Sequence, residues 1–218
     1  MKTVWGECLR PDAILTEYPR PQLRRESYLN LNGPWEYAIT DTDTQPETFD
    51  GTILVPFSPE APLSGVERTL GSDQFLWYRR SVILPEGFVR DRTFLHFGAV
   101  DQEAAVFVNG RQLAHHIGGY LPFTCDVTDA LQGGREMDIV VCVRDVTDES
   151  YHTRGKQRMA RGGIWYTPQS GIWQTVWMES LPKTHIRGLR ITPLFDEAMV
   201  ELRVQTSVPC ACVARLDG

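Results

Sequence analysis

"MDIVVCVRD", residues Met137 to Asp145, alternates strictly enough to settle the fold class. Met137, Ile139, Val141 and Val143 fall on one face of an extended chain, and Asp138, Cys142 and Arg144 fall on the other. Successive side chains of a strand point to opposite sides, so this period of two is that of a strand buried on one face. The same reading extends outward. "MVELRVQ" sets Val200, Leu202 and Val204 against Glu201, Arg203 and Gln205. "LWYRRSVIL", "RTFLHFGAV", "EAAVFV" and "LRITPLF" are rich in the β-branched and aromatic residues that fit a pleated surface. Asn109-Gly110 between "AVFV" and "RQLAHH" is a hairpin signal, because both residues tolerate the left-handed conformation that a tight turn demands. Glycine and proline punctuate the chain at "NGPW", "LPEG", "GGYLPF" and "LQGG". No segment holds a helical period, and "VTDALQ" offers one turn at most. The expectation is an all-β chain, a sandwich of the jelly-roll kind.

A chain of 218 residues is long enough for one large β domain with part of a second. Its 42% apolar and 23% charged residues are ordinary for a globular protein, and no apolar run approaches the ~20 residues of a membrane span. A net charge of −6 without basic patches speaks against nucleic-acid or anionic-membrane partners. "MKTVWGECLRPDAI" has no apolar stretch after its lysine, so no export signal is read and a cytoplasmic location is expected. Cys8, Cys125, Cys142, Cys210 and Cys212 show no C-x-x-C and no histidine at ligand spacing, and are read as free structural thiols. His115 and His116 are adjacent on a strand, face opposite sides and do not easily chelate one ion. With no G-x-S-x-G, H-E-x-x-H or phosphate loop, no catalytic residue, metal or cofactor is expected within the chain.

Near "SLPKTHIRG" the pattern restarts: Pro182 breaks a strand and a fresh series begins at about Ile186. About 30 residues are too few for a core of their own. Either they complete the first sandwich or they open a second domain in which the chain is cut; the second reading is preferred, with a boundary between residues 1–183 and 184–218.

The order of motifs is specific. "RPQLRRESYLNLNGPWEYAI", "ILVPFSPEAPLSGV", "LWYRRSVILPEGF", "LHFGAVDQEAAVFVNGRQLAHHIGGYLPFTCDVTDAL" and "GGIWYTPQSGIWQTVWME" follow one another. Together they resemble the N-terminal sugar-binding domain of glycoside hydrolase family 2, the family of β-galactosidases, β-glucuronidases and β-mannosidases. The resemblance implies a galactose-binding-like jelly roll to about Leu181, then the first strands of an immunoglobulin-like domain. It also implies a separate TIM barrel that supplies the two carboxyl groups of a retaining glycosidase, so this chain alone is expected to be inactive. The implied role is to shape the active-site rim for a terminal β-linked sugar, with interdomain contacts and homo-oligomer contacts as further roles. A stand-alone carbohydrate-binding module and a purely structural docking domain are the competing readings.

Within that resemblance, Asp101, Asp145, Trp165, Tyr166, Gln169 and Gln174 are the candidate substrate contacts. Tryptophan and tyrosine suit sugars because a flat apolar face meets the C–H face of a pyranose. Trp165 and Tyr166 lie in a loop with Pro168 and two glycines, where substrate contacts on a rigid sandwich tend to lie. In "GIWQTVWME", Trp173 and Trp177 share one strand face and are read as packing residues. Gln174 and Thr175 stand where some galactosidases of the family carry Arg-Asp, which weakens a galactosidase reading; Gln169 and Gln174 remain as amides for hydroxyls. Asp101 resembles a family position that contacts the crevice near the barrel, or else caps a turn. Asp145 opens the polar loop "RDVTDESYHTRGKQRMARGG", which resembles a rim segment, or else is a solvated connection with internal salt bridges.

Overall fold

The computed structural model describes residues 3–215. Fourteen strands carry the architecture, all in antiparallel pairs: β1 Tyr28–Asn30, β2 Gly33–Thr40, β3 Gly51–Val55, β4 Phe75–Ile83, β5 Arg92–Phe97, β6 Val100–Asp101, β7 Glu103–Val108, β8 Arg111–Ile117, β9 Phe123–Asp126, β10 Glu136–Arg144, β11 Gly171–Ile172, β12 Val176–Leu181, β13 Ile186–Leu194 and β14 Met199–Thr206. A six-stranded sheet in the order β3-β2-β4-β10-β7-β8 faces a four-stranded sheet in the order β1-β12-β5-β9. The result is the jelly-roll β-sandwich that the alternation implies.

Strand β10 lies between β4 and β7, and its register places Val141 beside both Tyr78 and Val106. Met137, Ile139, Val141 and Val143 therefore point together into the space between the sheets, where Leu95, Phe97, Val176 and Met178 of the second sheet meet them. All eight are buried. Full burial of side chains of this size stabilises the fold by about 1.5–3 kcal/mol each. The outer face of the six-stranded sheet is not purely polar: Ala38, Trp77 and Val140 form a second cluster with Phe49, Phe75, Phe107 and Cys142. Burial there pushes the Cys142 thiol up to about 12, so it behaves as a small apolar group.

The Asn109-Gly110 signal is borne out. Both residues have positive φ (50° and 76°), and they join β7 to β8 in a tight hairpin. "VTDALQ" contributes a single 3₁₀ turn, Asp129–Leu131. One element goes beyond the pattern: a helical turn at Val4–Glu7, where Thr3 Oγ1 accepts from the Gly6 N–H. Four residues are too few to leave a period.

The run "GIWQTVWME" is not one strand. Gly171–Ile172 forms β11, the chain bends at 173–175, and Val176–Leu181 resumes as β12 in a different sheet. Trp173 and Trp177 are thereby sent to different places. Trp177 is buried on the outer face of the four-stranded sheet, stacked on His96 at 3.8 Å and covered by Tyr18 and Arg20 of the N-terminal arm. Beside it, Glu179 accepts from Tyr18 Oη (2.8 Å), Arg20 (2.9 Å) and Arg25 (3.0 Å), which fastens the arm to the sheet. His96 Nε2 lies 3.2 Å from Glu179 Oε1 but off the direction of a hydrogen bond. Burial works against the Glu179 charge, yet its polar contacts and the facing arginines hold its pKa at about 2.

After Leu181 the chain leaves the sandwich. Strands β13 and β14 pair with each other and with no other strand among the described residues. Ile191, Met199, Val200 and Leu202 of this ribbon are exposed. It touches the sandwich through the Lys183 N–H on Asp91 (2.7 Å), Arg25 on the Ile186 carbonyl, and an edge contact of His185 on Phe94.

Candidate functional site

The smallest pairing in the sandwich builds one wall of a crevice. Strands β6 and β11 pair over two residues, Asp101 opposite Gly171 and Val100 opposite Ile172. Val100 and Ile172 are fully buried and anchor this pair in the core. Asp101 and Trp173 alternate with them and so share the opposite face of the pair. Asp101 stands across from Gly171 at one end, and Trp173 lies past Ile172 at the other, its N–H on the Ala99 carbonyl (3.4 Å). Gly119 closes over them. A Cβ at that position would stand 2.2 Å from Asp101 Oδ1, so only glycine admits the carboxylate there. The Gly119 carbonyl accepts from Trp173 Nε1 at 2.7 Å, and the Tyr120 ring meets Trp173 edge-on at 6.1 Å.

The opposite wall is the polar loop before β11. It folds back on itself: Tyr166 N–H donates to the Lys156 carbonyl (2.9 Å) and Arg158 N–H to the Tyr166 carbonyl (3.1 Å). Gln157 is its hinge pin. Its Nε2 donates to Asp101 Oδ2 at 3.2 Å, and its Oε1 accepts from the Gln169 N–H at 2.5 Å. The space between the walls, about 430 Å³, is lined by Asp101, Tyr120, Lys156, Gln157, Tyr166 and Trp173 among others. Each wall thus pairs aromatic with polar groups, Trp173 and Tyr120 with Asp101 on one and Tyr166 with Gln157 and Lys156 on the other. This makes a site for a small polar ring.

Behind the crevice lie the buried Asp145 and the half-buried Glu60. Ser170, itself fully buried, donates its N–H to Glu60 (3.1 Å) and its hydroxyl to Asp145 (2.9 Å). Asp145 also accepts the Thr147 N–H at 2.7 Å. Burial raises the pKa of both Glu60 and Asp145 against these hydrogen bonds. Asp101 is pushed up to about 7, first by burial and then by the charge of Asp145, with the Gln157 contact opposing. A carboxyl poised near neutrality at a crevice mouth is able to accept or donate a hydrogen bond.

The structure brings Asp101, Tyr166 and Gln169 to this crevice, with Asp145 buried behind it. Gln169 is committed elsewhere: Ser58 Oγ donates to its amide oxygen at 2.5 Å, and its amide nitrogen donates to the Pro168 carbonyl at 3.1 Å. Trp165 stands apart, half-buried under the Arg158 guanidinium at 4.1 Å. Gln174 is exposed on the bend, its Cβ against Gly98, and does not line the crevice. The polar loop is largely exposed, as the alternative reading has it, but it is not held by internal salt bridges. Asp145 is buried, and no ion pair forms within residues 145–161. Sequence reasoning missed Tyr120 and preferred packing over a ligand contact for Trp173. The signal for Tyr120 was "GGY", where two glycines precede an aromatic residue; for Trp173 it was the second glycine-led turn at Ser170-Gly171, from which the two-residue strand β11 starts. Among the described residues no group of three or more metal-ligating side chains occurs.

Residues 67–182 match the family model described as glycosyl hydrolases family 2, sugar binding domain. The chain belongs to this family. It is 31% identical over 194 residues to a putative beta-glucuronidase of Formosa agariphila, spanning 82% of this chain and 21% of that one. It is 26% identical over 187 residues to a beta-galactosidase of Thermoanaerobacter pseudethanolicus, spanning 83% and 24%. Among solved structures, the beta-glucuronidase of Faecalibacterium prausnitzii superposes with a TM-score of 0.61 at 25% identity, over 88% of this chain and 37% of that one. The Ruminococcus gnavus beta-glucuronidase solved with D-glucuronic acid gives 0.67 at 20% identity, over 89% and 36%, a likeness of fold. The family 2 chain described here thus spans a quarter or less of these two curated relatives. Its crevice lies inside the matched segment, from Asp101 to Trp173.

Proposed function

We propose that this chain is the N-terminal, non-catalytic part of a retaining β-glycosidase, and that the Asp101–Trp173 crevice holds a terminal β-linked sugar at the rim of the active site. The observation that carries the reading is the meeting of Trp173, Tyr120 and Tyr166 with Asp101 and Gln157 around one cavity. The aromatic faces take the apolar side of a pyranose, and the acid and amide take its hydroxyls. The names of the relatives, glucuronidases and a galactosidase, support the same substrate class. The two reacting carboxyl groups belong to the remainder of the enzyme. The ribbon of β13 and β14, open on both edges with exposed apolar residues, opens the next domain in this reading, with the boundary at about residue 183. Its apolar residues and subunit contacts in a homo-oligomer would be covered in the whole protein. Five unpaired cysteines support a reducing, cytoplasmic setting.

The test has two arms. The chain alone should leave aryl β-galactoside, β-glucuronide and β-mannoside at background. In the full-length enzyme, Trp173→Ala should raise KM several-fold with a smaller change in kcat. Turnover by the chain itself would sink the non-catalytic reading, and unchanged parent kinetics would leave only a docking domain.

A further inference from the structure

A second open groove adjoins the crevice. It measures about 630 Å³ and is lined by Glu60, Glu67, Thr69, Met159, Arg161 and Thr167, among others. Thr167 and Gln169 line both spaces, so a single strip, Thr167-Pro168-Gln169, is their common wall. The strip is fixed rather than loose. Arg161 donates to Thr167 Oγ1 (2.9 Å), Ser58 and Gln157 hold Gln169, and Glu60 holds the Ser170 N–H that follows. A fixed low ridge keeps two compartments apart while letting one extended ligand pass over it. Small-molecule sites measure about 300–1,000 Å³. The crevice alone has that size, and the groove adds more than as much again.

The groove's lining is polar and available. Neither the Glu67 nor the Thr69 side chain makes a hydrogen bond or ion pair with another described residue, and both are exposed. Glu67 is also held at φ +53°, a left-handed conformation that costs a non-glycine residue energy and gathers at functional sites. Carboxylate, hydroxyl and guanidinium groups spaced along a shallow groove suit the hydroxyl-rich units of a glycan rather than an apolar aglycone.

We infer that the substrate is a β-linked oligosaccharide, whose terminal unit sits in the Asp101–Trp173 crevice while its following units cross the Thr167–Gln169 ridge into the Glu67–Arg161 groove. This rests on the sugar-rim reading and adds the substrate's length to it. Calorimetric titration of the 218-residue chain tests it, with methyl β-D-galactoside, methyl β-D-glucuronide and β-linked tetrasaccharides that end in the same two units. One tetrasaccharide should bind at least tenfold tighter than its methyl glycoside. Glu67→Gln and Thr69→Ala should each remove most of that gain and leave methyl-glycoside binding unchanged, whereas Trp173→Ala should weaken both probes alike. Equal binding of short and long probes overturns the groove and leaves the crevice reading intact. A gain that survives both groove variants also overturns it. Absence of binding by all four probes overturns the groove and the crevice together.

Discussion

Gln157 Nε2 donates to Asp101 Oδ2 across 3.2 Å, and this single contact closes the polar loop onto the sandwich. The two residues lie 56 positions apart in the chain. The carboxyl that Gln157 meets carries the pH behaviour of the site: burial and the neighbouring Asp145 raise its pKa to about 7 against this contact.

The pH dependence has a definite sign. In the unfolded chain Asp101 ionises near 3.8, while in the fold it keeps its proton to about 7. Between these values the native state binds more protons than the unfolded state. Its contribution to stability therefore falls as pH rises through this window, by up to about 1.4 kcal/mol for each pH unit, and is flat above it. Asp101→Asn keeps the acceptor for Gln157 and removes the titration. The variant should be more stable than the parent at pH 8, with the difference shrinking toward pH 4. Urea unfolding of both chains across that range checks this; parallel profiles would contradict it.

Glu179 should behave in the opposite sense. Its folded pKa of about 2 lies below the ordinary 4.5, so its contribution is complete above about pH 4.5 and is lost as pH falls toward 2. Glu179→Gln leaves Arg20, Arg25 and Tyr18 facing an uncharged group, and breaking a buried pair from one side costs about 3–5 kcal/mol. We expect a loss of that order at pH 7, diminishing at pH 3. Faster proteolysis within residues 10–25 of the variant would show that the arm has come loose.

The three tryptophans of the 162–179 segment should separate cleanly. Trp177→Ala empties a buried site and should cost about 3–5 kcal/mol. Trp165→Ala loses a partly exposed contact with Arg158 and should cost under about 1 kcal/mol. Trp173→Ala should fall between them in stability yet be the one that impairs sugar binding. Melting curves of the three variants, with one glycan titration each, decide the order.

Trypsin should cut after Lys183. The residue joins the sandwich to a ribbon that pairs with none of its strands, and only a few contacts hold the ribbon in place. Mass spectrometry should find a fragment ending there that melts as cooperatively as the parent. Protection of Lys183 equal to that of the central strands would instead assign the ribbon to the first domain.

The sequence by itself determined the sandwich. Alternation in "MDIVVCVRD" is a local property, since a strand with one apolar face must bury that face, and Asn109-Gly110 turns sharply whatever surrounds it. It also placed acids, amides and aromatic residues in the right segments, Asp101 and Tyr166 among them. Only the tertiary structure decided which of them meet. Trp173 and Trp177 share a face if the strand is continuous, and the bend at 173–175 sends one to the crevice and the other beneath the N-terminal arm. Trp165 and Tyr166 are neighbours in sequence, yet one stacks under Arg158 while the other lines the cavity. Asp101 lies 18 residues from Gly119, 56 from Gln157 and 72 from Trp173, and no periodicity spans such distances. Sheet pairing brings Asp101 and Trp173 together, because the β6–β11 register buries Val100 and Ile172 and leaves Asp101 and Trp173 diagonally placed on the other face of the same two-residue ladder.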